Sequence, residues 1–137
     1  MEPSDVTPPL EAHWASILAV YRANGSILTS PVWYRAVEDW VELVIADGDA
    51  KLDRLRADPR CVFMAFEMFA PFRGFRIETD ATLTDDGVGA ARLAISRRYL
   101  GEEGGRRYVE KRTKPGVVVR LPLAAARTWD LSAILPD

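Results

Sequence analysis

Cysteine and histidine are nearly missing from this sequence: one of each stands among 137 residues. A single cysteine excludes an intrachain disulfide and a cysteine-rich zinc site. The only histidine, His13, lies beside a polar, proline-rich stretch, which argues against a histidine triad, a multi-histidine metal site or a histidine relay within one chain. No apolar run approaches the ~20 residues that a spanning helix needs. Met1 to Pro9 does not resemble a signal peptide, so a cytoplasmic location is expected. A net charge of −2 gives no support for general nucleic-acid binding. Internal repeats and low-complexity segments are also lacking.

What remains is ordinary for a globular protein: nearly half the residues are apolar and just over a quarter charged. The length suits a flexible arm over residues 1–11 and a single domain over 12–137. Trp14 to Tyr21 has strand length and strand residues, and Asn24-Gly25 supplies the positive φ angles of a tight hairpin into a partner strand, Ile27 to Arg35. Pro31 cannot donate a ladder hydrogen bond, so this strand is an edge or is bulged there, with backbone groups beside Pro31 free for a ligand. Trp40 to Ala46 is a third strand. Asp49 to Asp58 reads as a short helix with Leu52 and Leu55 on one face, stopped by Pro59. Its start, with Lys51 in the first turn, is a place to seat a phosphate, because N–H groups there are unsatisfied.

Cys61 to Glu67 is continuously apolar up to its last residue, as in a strand buried on both sides, and Cys61 reads as a buried, inert thiol. An aromatic loop, Met68 to Gly74, follows. Phe75 to Leu83 then alternates, with Phe75, Ile77, Thr79, Ala81 and Leu83 facing one way. Gly87 to Leu100 and Gly105 to Thr113 read as two helices, and Val117 to Leu121 and Arg127 to Leu131 as strands. Six or seven strands with short turns and inserted helices imply a mainly β fold, a small β-barrel. Gly87-Val88-Gly89 does not complete a dinucleotide fingerprint, and Glu102 to Gly105 lacks the Gly-Lys-Ser/Thr of a P-loop. The basic residues from Arg92 to Lys114 are interrupted by Glu102, Glu103 and Glu110 and read as a solvated face rather than an anion site.

Several local motifs, in order, resemble the pyridoxamine 5′-phosphate oxidase-like flavin-binding split barrels, including their F420-dependent branch. They are Asn24-Gly25-Ser26, Ser30 to Tyr34, Ala50 to Arg60, Glu78 to Thr84, Arg98 to Gly101, and Trp129-Asp130. The resemblance spans about Trp14 to Leu131. It implies a split β-barrel of the FMN-binding type and a homodimer with its cofactor, FMN or alternatively F420, in clefts at the subunit interface. It also implies that Ser30, Pro31, Val32 and Trp33 flank the cofactor ring, while Ile45, Ala46, Asp47 and Lys51 handle the ring edge and phosphate. Arg54, Arg56 or Arg73 would supply a basic track for the acidic tail of F420, and Phe69, Phe72 and Arg73 would wall the cleft.

The sequence departs from the family pattern at two points. Val44 and Ile45 stand where hydroxyl side chains are common, and Asp49-Ala50 where Ser or Arg is. Two unit charges ~4 Å apart interact by ~1 kcal/mol in water and more when desolvated. Asp49 would therefore oppose a phosphate unless it points away or pairs with Arg54 or Arg73. The expected function is an FMN- or F420-dependent oxidoreductase passing a hydride to or from a small organic substrate, with no nucleic acid or membrane partner. The alternative is a non-catalytic flavin- or haem-binding dimer for storage, sensing or sequestration.

Overall fold

The computed structural model describes residues 14–136; the expected arm over residues 1–11 and His13 lie outside the described residues. Among the described residues nine strands form two antiparallel sheets. One has the order β2-β1-β5-β6-β9, built from β1 (Trp14–Tyr21), β2 (Ile27–Pro31), β5 (Arg60–Glu67), β6 (Gly74–Asp80) and β9 (Ala126–Trp129). The other runs β3-β4-β8-β7, from β3 (Arg35–Val37), β4 (Trp40–Ala46), β8 (Gly116–Pro122) and β7 (Thr82–Thr84). Helix α1 (Ala50–Ala57) joins β4 to β5, and α2 (Val88–Glu110) joins β7 to β8. No helix among the described residues is long and apolar enough to cross a membrane.

One apolar core lies between the sheets. Leu18 and Val20 of β1, Phe63 and Ala65 of β5, Phe75 and Ile77 of β6, and Val41, Leu43 and Ile45 of β4 all point into it. Period-two alternation places them there, since successive strand side chains face opposite ways. Helix α1 closes one side with Leu52 and Leu55, its only buried residues. Tyr34 is wedged against Phe63 and Phe75, with ring centroids 5.2 and 6.2 Å away in edge-on arrangement, a geometry that aromatic quadrupoles favour.

The structure corrects several sequence expectations. The hairpin after β1 is a five-residue connection in which Gly25 takes φ 86° and Asn24 does not go positive. Asn24 instead uses its side-chain oxygen to accept from Ser26 N at 3.0 Å, a local turn bond that short Asx side chains favour. The strand expected to reach Arg35 ends at Pro31, for want of a donor N–H. Pairing resumes at Arg35 in the other sheet. Likewise Phe75 to Leu83 breaks at Ala81, and β7 leaves β6 to pair with β8. Each of these two switches carries the chain from one layer to the other. Arg127 to Leu131 shortens to a strand ending at Trp129. The β5 strand is not buried on both sides: Cys61, Phe63 and Ala65 are buried, while Val62, Met64 and Phe66 on the opposite face are half-buried.

Cys61 is buried in the core, and burial, followed by the negative charge of Asp80, pushes its thiol up to about 12. The reactive thiolate is therefore suppressed. A thiol reagent at pH 8 is expected to leave the native protein unmodified and to label Cys61 fully once it is unfolded. Rapid labelling of the native protein would show that this strand opens.

Candidate functional site

A cavity of about 420 Å³ lies where the β2–β3 segment, β4, the start of α1 and both halves of α2 meet. Its residues arrive from segments far apart in sequence. Pro31, Val32 and Trp33 form one wall, Val44 to Ala46 a second, and Ile95, Ser96 and Tyr108 of α2 a third. Asp49, Lys51, Arg92, Arg112 and Lys114 complete its rim.

The extended link between β2 and β3 sends consecutive side chains in opposite directions. Tyr34 enters the core, while Trp33 turns outward onto α2. There Trp33 stacks on Tyr99 at 5.0 Å and 10°, and meets Tyr108 at 5.2 Å and 46°. Tyr99 is fixed in turn, its hydroxyl accepting from Tyr34 N at 3.3 Å. Trp33 remains about a third exposed, at 36%. It is thus an aromatic group backed by a second ring, and it lines the cavity. The backbone beside Pro31 is less available than expected, because Val32 N donates to Ser16 O at 3.1 Å and Ser16 Oγ donates to Val32 O.

Helix α2 reaches the cavity twice because it is kinked. Gly101 takes φ 78°, ψ 175° inside the helical span, a conformation that glycine adopts without a Cβ penalty. Gly105 then packs directly on the first half, since a Cβ there would stand 2.6 Å from Arg97 N. The second half so turned back carries Tyr108, and the segment after it carries Arg112 and Lys114. The two expected helices are these two halves. Arg92 Nη1 donates to Arg112 O at 3.2 Å, tying the start of α2 to the segment that leaves it. The Arg112 guanidinium lies 4.8 Å from the Tyr108 ring centroid.

Asp49 caps α1. One carboxylate oxygen accepts from Lys51 N at 2.9 Å, and the other meets Lys51 Nζ at 2.9 Å. Asp49 therefore neither points away nor pairs with Arg54 or Arg73, the two escapes foreseen from the sequence. Burial raises its carboxyl, but the side-chain and backbone hydrogen bonds from Lys51 and the lysine's charge together hold it below the usual carboxylate range. Hydrogen bonds from Arg60, Arg73 and Ser132 do the same, each as the largest cause, for Asp58, Glu67 and Asp130. A carboxyl depressed on folding contributes stability above its unfolded value, ~4 for Asp and Glu, and loses it as pH falls through the folded value. Thermal unfolding followed by circular dichroism is expected to show a Tm that is flat from about pH 5 to 7 and falls below about 4. A Tm that rises on acidification would contradict these pairings.

Of the residues expected at the site, Pro31, Val32, Trp33, Ile45, Ala46 and Lys51 line the cavity. The others lie elsewhere. Ser30 sits in β2 opposite Leu18, and Asp47 is 3.7 Å from Arg56. Arg54 Nε donates to Tyr21 O at 3.0 Å. Arg73 is paired with Glu67, and Phe72, at φ 58°, is held by a 2.8 Å bond from Trp129 Nε1 to its carbonyl. Phe69, Phe72 and Arg73 belong to the β5–β6 loop and do not line the cavity of their own chain. Sequence reasoning missed Arg92, Ile95, Ser96, Tyr108, Arg112 and Lys114. The basic run is a solvated face only in part: Arg106 and Arg107 pair with Glu103 and Arg97 with Glu102, whereas Arg92, Arg112 and Lys114 turn to the cavity.

Among the described residues no group of His, Cys, Asp or Glu is arranged to hold a metal ion. No protein-family model matches the chain, and no curated protein matches it closely. Solved structures do. A conserved hypothetical protein from Mycobacterium tuberculosis superposes with TM-score 0.81 at 21% identity, over 100% of this chain and 90% of that one. An F420 reductase superposes with TM-score 0.64 at 17% identity, over 82% of this chain and 88% of that one. A putative pyridoxamine 5′-phosphate oxidase from Listeria innocua gives TM-score 0.63 at 13% identity, over 92% and 96% of the two chains. The chain thus has the split β-barrel fold of the pyridoxamine 5′-phosphate oxidase-like proteins.

Proposed function

We propose, from a split β-barrel with an aromatic-walled and cation-rimmed cavity, that this protein binds FMN or the deazaflavin F420. With it the protein would pass a hydride to or from a small organic substrate. The observation that carries this reading is the pairing of two features in one cavity. Trp33, backed by Tyr99, offers an apolar aromatic surface, and Arg92, Arg112 and Lys114 stand on the rim, where Lys51 is already paired with Asp49. A planar ring with an anionic tail matches both. The cofactor would supply the redox chemistry, and the protein would bind, orient and exclude water. Pro31, Val32 and Ile45 would enclose the ring edge, and the basic rim would hold the tail.

The partner in this reading is a second copy of the chain. The outward face of the five-stranded sheet carries Pro31, Ile17 and Met64 in one cross-strand row and Thr29, Ala19 and Val62 in the next. Pro31 belongs both to this face and to the cavity, so a dimer built on it would set the cofactor cleft at the interface and could bring the partner's β5–β6 loop towards it. Sedimentation should find a dimer, and Met64→Lys should give a folded monomer with weakened cofactor binding. A wild-type monomer would remove the interface from the account.

One observation favours the non-catalytic alternative, a flavin or haem carrier. The polar groups nearest the ring position are already engaged, Ser96 Oγ with Arg92 O at 2.7 Å and Asp49 with Lys51. Turnover with a range of electron donors and acceptors separates the two readings. The binding site itself is tested by Trp33→Leu, expected to weaken FMN or F420 about tenfold, the loss of ~1.4 kcal/mol of ring contact. An unchanged affinity would place the ring elsewhere.

A further inference from the structure

We infer that the anionic end of the ligand is held by Arg92, Arg112 and Lys114, and not by Lys51 at the start of α1. The inference rests on the cavity being a ligand site, as proposed above, and concerns how a ligand lies in it. A lysine in the first turn of a helix is ordinarily suited to an anion, because its charge adds to that of the free N–H groups. Here Asp49 has taken that position. The same carboxylate accepts from Lys51 N and Lys51 Nζ, each at 2.9 Å. An incoming phosphate would have to displace it or stand beside it, against a like-charge repulsion of ~1 kcal/mol in water at ~4 Å and more when desolvated.

The other three cations are placed differently. None of Arg92, Arg112 and Lys114 forms an ion pair with a carboxylate among the described residues, although Arg97, Arg106 and Arg107 of the same helix are paired with Glu102, Glu103 and Glu110. They converge because the chain brings them together. The Gly101 kink returns the second half of α2, Arg92 bonds the Arg112 carbonyl, and Asp47 N donates to Pro115 O at 2.8 Å, fixing the Lys114 segment beside the β4–α1 turn. Lys114 Nζ accordingly reaches to within 3.1 Å of where a Gly48 Cβ would lie. Three cations without a carboxylate partner on one rim suit a ligand with more than one negative charge, such as a diphosphate, or a phosphate followed by carboxylates.

The test is calorimetric titration of the full chain with inorganic pyrophosphate, and in parallel with FMN and F420. Arg112→Gln and Lys114→Gln are each expected to weaken pyrophosphate about five- to tenfold. The charge-balanced double variant Asp49→Asn/Lys51→Gln, which keeps a capping side chain, should stay within about twofold of wild type. Asp49→Asn alone should strengthen binding a few-fold, because it frees Lys51. Equal Tm values across the set exclude unfolding as the cause. If the double variant loses tenfold while Arg112→Gln and Lys114→Gln bind normally, the anion sits on Lys51 and the inference is overturned. Wild-type protein that binds no pyrophosphate also overturns it, even if FMN binds. Pyrophosphate bound through Arg112 and Lys114, with neither FMN nor F420 bound, would leave the inference standing and remove the proposed function.

Discussion

The double variant Arg35→Met/Arg120→Met is expected to lose about 3–5 kcal/mol of folding stability, the cost of stranding a buried charge. Glu42 is the reason. Its side chain is only 3% exposed, and its two carboxylate oxygens are held from opposite sides, by Arg35 Nη2 at 2.8 Å and Arg120 Nε at 2.7 Å. The three residues face one another across β3, β4 and β8, in the registers Arg35↔Glu42 and Glu42↔Arg120. Cross-strand pairing on one sheet face thus builds the cluster directly from sequence order. With both arginines gone, the carboxylate keeps its burial and loses its partners. Adding Glu42→Leu should restore most of the loss, since a buried ion cluster exchanged whole for apolar groups is often neutral or better. Chemical denaturation of the double and triple variants measures this. A triple variant as unstable as the double would show that packing of the arginine stems, and not the stranded charge, is responsible.

Gly105→Ala should cost about 2–3 kcal/mol and also disable the site, because its methyl group has nowhere to go. The new Cβ would stand 2.6 Å from Arg97 N and 2.7 Å from Arg97 Cα, which are backbone atoms that cannot turn aside. Relief requires the two halves of α2 to separate, and that carries Tyr108 and Arg112 off the cavity. Weakened binding of cofactor and pyrophosphate should therefore accompany the lost stability. Gly89→Ala, near the start of the same helix, is the control. Nothing lies within 4 Å of its Cβ, so alanine should stabilise by ~0.5–1 kcal/mol. If the two substitutions behaved alike, helix propensity would govern both and the close approach at Gly105 would be irrelevant.

The contrast between these two glycines shows what was legible in the sequence. β1 and β4 could be bounded to the residue, because turn residues flank apolar runs of strand length. Helix α1 was equally clear from Leu52, Leu55 and Pro59. The strand breaks at Pro31 and Ala81 were not foreseen as changes of sheet. Local pattern reports that a residue is extended, not which neighbour it pairs with, and tertiary context decides that. The apolar half of the cavity was found because Pro31, Val32 and Trp33 are contiguous.

Its basic half was missed because Arg92 and Arg112 are twenty residues apart and meet only through the Gly101 kink. Two signals were available. Gly101, Gly104 and Gly105 interrupt an otherwise helical stretch, which points to a turn or a close approach. Arg92 and Arg112 also have no acidic residue three or four positions away, unlike Arg106 and Arg107, so helical pairing cannot engage them. Asp49 was recognised as an obstacle, but its partner was misjudged. Its nearest cation is two residues along, and capping geometry turns its side chain towards that residue.

The most direct test of the account is a titration of freshly purified protein with FMN and with F420, recording the visible absorption of the cofactor and the quenching of tryptophan fluorescence. Saturable binding of at least one, with a shifted cofactor spectrum and quenching that Trp33→Leu diminishes and moves to about tenfold higher cofactor concentration, is the expected result. If neither cofactor shifts its spectrum or quenches the protein, the cavity beside Trp33 is not a flavin site and the proposed function is wrong.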